Sequence, residues 1–187
     1  MLFFKHLFTT IDSIIQRNKW KIKRLTILTV FIFLTSCTAN GPSYEASLLP
    51  KIEKGEAAIV IYRPLTMGGG SNPSFAINED KKCPTLAPDG FTSASVKSGK
   101  INLSSKAFLE STSYNLETKA GKTYYLKVTP NMGRVSSQAG AGLVGLFTYN
   151  AATHGKENVG TFKFDVIDEE AAKKELVGLK YVGECKK

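Results

Sequence analysis

The chain has 187 residues, 42% of them hydrophobic, which provides for one domain with a buried core and argues against wholesale disorder. Its formal charge of +9 is unevenly placed: residues 1–36 carry +5, whereas residues 37–187 hold 19 basic and 15 acidic residues. In that larger part the two signs are interspersed and form no basic stripe, so nucleic acid is excluded as a partner.

The first element is a leader. Lys19-Trp20-Lys21-Ile22-Lys23-Arg24 precedes Leu25 to Leu34, a run broken only by Thr26 and Thr29. Such a run is too short to cross a hydrocarbon core of ~30 Å, which takes about 20 residues. A basic region, a short apolar stretch and small residues make the pattern of a secretory signal peptide, here residues 1–36. A buried core helix would not account for the basic cluster ahead of it. Leu34-Thr35-Ser36-Cys37 resembles the lipobox of bacterial lipoproteins. The resemblance implies that the Cys37 thiol receives a diacylglycerol, that the chain is cut just before it, and that the new amino terminus is acylated. Three acyl chains anchor far more firmly than one. Thr38 stands where an Asp favours inner-membrane retention in enteric-type bacteria, so the resemblance points to the outer membrane, facing the periplasm. Residues 1–18 make this leader long, and uncut it would act as an anchor itself.

With Cys37 assigned to lipid, Cys83 and Cys185 remain as an even pair in an oxidising compartment. A disulfide between them would close a loop worth roughly 4–5 kcal/mol in chain entropy; the alternative is two free thiols. Neither CxxC spacing nor a histidine cluster is present, so no metal site is expected.

Residues 37–54 contain Gly41, Pro42, Ser43 and Pro50 and read as a flexible tether to a β domain over residues 55–187. Ala57 to Tyr62 is a continuous apolar run stopped by Pro64, as expected of a strand covered on both faces. Period-two alternation marks strands around Ile101 and Leu103, Tyr114 and Leu116, Tyr124 to Val128, and Phe162 to Val166. Lys119-Ala120-Gly121-Lys122, with a Gly suited to positive φ, predicts a hairpin between two of them. Asp168 is placed to cap a short helix, with Glu169 and Glu170 in its first turn, Lys173 and Lys174 four residues on, and Ala172 and Leu176 facing the sheet. The expected class is all-β: a small antiparallel β-sandwich or barrel-like domain with one short C-terminal helix.

Gly55 to Pro64 (GEAAIVIYRP), a following Gly-rich loop, Ala120 to Val128 (AGKTYYLKV) and the acidic helix start Asp168-Glu169-Glu170-Ala171 together resemble a family of bacterial envelope lipoproteins. That family is defined by a domain of unknown function with YRP and AGKTYYL strand motifs. Over roughly Gly55 to Lys180 the resemblance implies a lipid-anchored β domain without assigned catalysis. The chain departs from the family at Asn78 to Cys83, which lacks a turn glycine and adds a cysteine, and at Ser136 to Gly160, which reads as an insertion.

No GxSxG, SxxK, GxxxxGK[ST] or HExxH motif occurs. Gly68-Gly69-Gly70 is followed by no lysine and reads as a loop. His154, in a polar loop, reads as solvated; a hydrolase would need it to face a carboxylate across a cleft. Arg63, held extended by Pro64, is the candidate contact for a ligand or partner; the simpler reading is an intramolecular pair that locks the neighbouring loop. Ala139 to Phe147 is apolar and Gly-rich: buried it would be a core strand, the favoured reading, and exposed it would suit a membrane or a partner. The leading expectation is a non-catalytic envelope lipoprotein with no cofactor. Its membrane contact would be the N-terminal lipid, and another envelope protein or a cell-wall component would be its partner. The alternative is a lipoprotein that binds or senses a small anion near Arg63.

Overall fold

The computed structural model describes residues 39–65, 71–107 and 110–186. The signal peptide, Cys37, Thr38 and Gly68-Gly69-Gly70 lie outside them. The folded unit is an all-β sandwich of two sheets. In chain order its elements are β1 (Glu56–Arg63), β2 (Ser74–Ile77), β3 (Lys81–Lys82), β4 (Gly90–Lys97), β5 (Gly99–Ala107), β6 (Glu110–Thr118), β7 (Thr123–Pro130), α1 (Met132–Thr153), β8 (Phe162–Ile167), α2 (Glu169–Leu176) and β9 (Lys180–Glu184). A five-stranded sheet runs β8-β7-β1-β4-β9, and a four-stranded sheet runs β3-β2-β5-β6.

The apolar run of β1 is explained by its central place. Ile59 and Ile61 point between the sheets, where they pack with residues such as Phe75, Leu103, Leu126 and Phe164. Val60 and Tyr62 point to the outer face and are covered by Ala172 and Leu176 of α2 and by Tyr44, Leu48 and Leu49. Helix α2 is the one expected: the Asp168 side chain accepts from the Ala171 N–H at 3.0 Å, and Lys173 pairs with Glu169.

Three expectations are corrected. The five-stranded sheet is mixed, because β7 lies parallel to β1 and β9 parallel to β4. The segment Lys119 to Lys122 does turn at Gly121 (φ 76°), yet β6 and β7 belong to different sheets, so it is a crossover between sheets and not a hairpin. Turn chemistry sets the reversal of the chain; packing of Leu126 and Val128 against the core decides which sheet receives the strand. The helix α1 is additional to the one short helix expected. A hairpin without glycine does form between β2 and β3, with Asn78 and Glu79 both at positive φ.

The segment read as a flexible tether is, over its described part, a strap. Ala39 is buried and donates to the Pro88 carbonyl at 2.9 Å, Tyr44 N–H donates to the Leu179 carbonyl, and Tyr181 N–H donates to the Pro42 carbonyl. The Tyr44 ring meets Phe91 edge-on at 5.4 Å. Three apolar side chains, Tyr44, Leu48 and Leu49, finding a face of the sheet outweigh the Pro and Gly content that points to a linker.

Candidate functional site

The ends of the five-stranded sheet differ. At one end β1, β7 and α2 finish while β4, β8 and β9 begin, an arrangement fixed by the pairs Arg63↔Gly90, Gly90↔Lys180 and Pro130↔Phe162. Asp89 organises this end. Held at φ 58° between Pro88 and Gly90, it accepts from Leu65 N–H through its side chain (2.8 Å) and from Lys180 N–H through its carbonyl (2.7 Å), next to the Pro88 carbonyl that receives Ala39. The tripeptide Pro88-Asp89-Gly90 is a turn signal legible in the sequence itself.

Arg63 sits at the same end and is fully buried. Its guanidinium donates to the Ser71 carbonyl (2.9 Å), the Leu86 carbonyl (3.0 Å) and Asn72 Oδ1 (3.3 Å), and lies 4.9 Å from the Phe162 ring centroid. Burial lowers its pKa. A charge held this way closes the loop onto the sheet and presents nothing to a solute. The ligand-contact reading of Arg63 is thereby corrected in favour of the intramolecular one, because strand β1 is covered on both faces right to its end.

The Ala139–Phe147 segment is neither a strand nor buried. It is the tip of a helical hairpin: α1 breaks at Ala141 and Gly142, where φ/ψ leave the helical region, and its second arm returns beside the first. The arms touch so closely that a Cβ on Gly145 would fall on the Ser137 carbonyl. At the base, Asn131 caps the first arm and donates to the Tyr149 hydroxyl (2.8 Å), while buried Arg134 donates to Asn150 Oδ1 (2.7 Å). Leu143, Val144 and Phe147 are about 70% exposed. One face of the five-stranded sheet from which the hairpin springs is covered by the second sheet and the other by α2 and the strap.

His154 faces solvent where α1 ends, beside a shallow cleft of about 280 Å³ lined by Ser111, Arg134, Asn150, Thr153 and Lys156, with no carboxylate in its lining. Among the described residues no group of three or more His, Cys, Asp or Glu is placed to hold a metal ion. Cys83 and Cys185 form a buried disulfide that pins the end of β9 beside β3, where Lys82 and Lys186 also pair. None of the described helices is long and apolar enough to cross a membrane.

Residues 53–142 match a protein family described as "Protein of unknown function (DUF2846)". The matched span runs from just before β1 to the tip of the hairpin, so it stops short of the reach inferred from the motifs. A protein of Haemophilus influenzae (strain ATCC 51907 / DSM 11121 / KW20 / Rd), named "Uncharacterized protein", is 29% identical over 115 residues, which cover 59% of this chain and 68% of that protein. No solved structure matches the chain.

Proposed function

We propose that this chain is a lipid-anchored envelope lipoprotein. It is cut before Cys37, acylated there, and held at the outer membrane with a non-catalytic β-sandwich that binds or braces another envelope component. One observation carries the reading: the lipobox-like Leu34-Thr35-Ser36-Cys37 ends two residues before Ala39, the first described residue, which is already buried and hydrogen-bonded. A cut before Cys37 would keep Ala39, Pro42 and Tyr44 with the partners that hold them on the sandwich. The Cys83–Cys185 disulfide supports an oxidising compartment and leaves Cys37 as the cysteine without a partner thiol.

The test is the intact mass of membrane-extracted protein with and without reduction, beside a Cys37→Ala control. The expected mass is residues 37–187 plus acyl groups, gaining two hydrogens on reduction. An unacylated chain that keeps residues 1–36 would sink the proposal.

A further inference from the structure

Of the large hydrophobic side chains exposed among the described residues, all but Val166 belong to segments that leave the five-stranded sheet at one end. Leu65 follows β1, Val177 follows α2, and Met132, Leu143, Val144 and Phe147 lie on the hairpin between β7 and β8. The strap enters the fold at this same end: Ala39 bonds Pro88, Gly90 pairs with Arg63, and Arg63 packs over Phe162, whose neighbour Thr161 receives the Asn131 N–H at the hairpin base. Contact is continuous from Ala39 to the root of the apolar hairpin. From Val135 to Gly155 the hairpin carries no Asp, Glu, Lys or Arg.

We infer that this end of the sandwich lies on a lipid bilayer, with the hairpin tip around Leu143, Val144 and Phe147 immersed in the boundary between headgroups and acyl chains. The inference rests on the lipid-anchor reading above. An acylated Cys37 separated from buried Ala39 by Thr38 alone cannot hold the domain at a distance, so the end bearing Ala39 must face the surface that holds the lipid. Apolar side chains standing in water at that end gain by entering the lipid. The hairpin is an interfacial element and not a spanning one, in keeping with its two short arms.

The experiment uses the full chain, extracted from membranes and reconstituted into phosphatidylethanolamine–phosphatidylglycerol vesicles with or without brominated acyl chains. Phe147→Trp and, separately, Leu143→Trp report on the tip; both sites are exposed, so the fold tolerates them. Lys119→Trp reports on the opposite end of β1, about 25 Å away along an eight-residue strand. The parent chain cut before Cys37 has lost Trp20, the one tryptophan of the sequence, and so serves as the tryptophan-free blank. Bromine is expected to quench the two tip reporters several-fold more than Lys119→Trp. Equal quenching at both ends would overturn the inference. Blue-shifted tip emission that bromine leaves unchanged would also overturn it, by assigning the patch to a second copy of the chain. The intact mass of the same samples separates the two proposals. An acylated chain with unquenched tip reporters fails this one alone, whereas an unacylated chain with quenched reporters fails the anchor and keeps the contact.

Discussion

Helix α2 obeys every local rule that a helix serving a core should obey, and hairpin α1 obeys almost none of them. In α2 an aspartate caps the start, two glutamates occupy the first turn, lysines the last, and Ala172 and Leu176 are buried. In α1 the first turn has no acid and the last no base, glycines recur, and the buried residues are Arg134 and Gly145, while Leu143, Val144 and Phe147 face outward. The apolar residues of α2 are explained by what they touch inside the protein. Those of α1 are explained by nothing inside it, and that contrast separates a helix that stabilises the sandwich from one that extends its reach.

The contrast fixes where substitutions should matter. The largest effect belongs to the α2 side, where the disulfide holds the strand that follows the helix. Replacing Cys83 and Cys185 together by Ser is expected to lower unfolding free energy by roughly 4–5 kcal/mol, read as a drop in the urea midpoint. Leu176→Ala, at a fully buried position, should cost about 3 kcal/mol in the same measurement.

Next comes the bond from the Tyr62 hydroxyl to Glu175, which ties α2 to β1 at 3.0 Å. Tyr62→Phe should cost about 1 kcal/mol at neutral pH. Burial, with this bond to Glu175, raises the Tyr62 pKa well above its ordinary value of 10.0. The neutral phenol is therefore favoured in the fold. Its contribution is complete below about pH 10 and is lost as pH climbs from there toward the folded-state value. Urea titrations above pH 10 should show the parent losing stability more steeply than Tyr62→Phe, with a residual slope from Tyr125, whose pKa is also raised by burial. The smallest effect belongs to the hairpin: Leu143→Ser should change stability by less than about 0.5 kcal/mol. A loss there comparable to that of Leu176→Ala would show that the hairpin tip packs against the domain after all.

The same contrast explains what was legible beforehand. The capped helix at Asp168, the two-faced strand at Ala57 to Tyr62, the alternating strands and the Cys83–Cys185 pair each rest on local pattern or on elimination, and each is present. What escaped is non-local. Gly121 announces a turn but not the sheet on its far side. Arg63 at a strand end reads as emerging until Leu86 and Phe162 arrive from elsewhere in the chain to enclose it. Ala139 to Phe147 has the composition of a buried strand, but both faces of the five-stranded sheet it springs from are taken by other elements. Pro42 and Pro50 suggested a linker because their neighbours Tyr44, Leu48 and Leu49 carry no sign of the distant residues they pack on.

The strap has a consequence for the order in which the molecule can assemble. Two of its backbone partners, Leu179 and Tyr181, come only after β8 and α2, and Cys185 follows them to close the disulfide. A polypeptide delivered N-terminus first therefore holds Pro42 and Tyr44 without these partners until β9 arrives, and β4 lacks its outer neighbour for as long. The fold is completed like a clasp, by its final segment. A truncation that removes only β9 would undo the beginning of the domain along with its end.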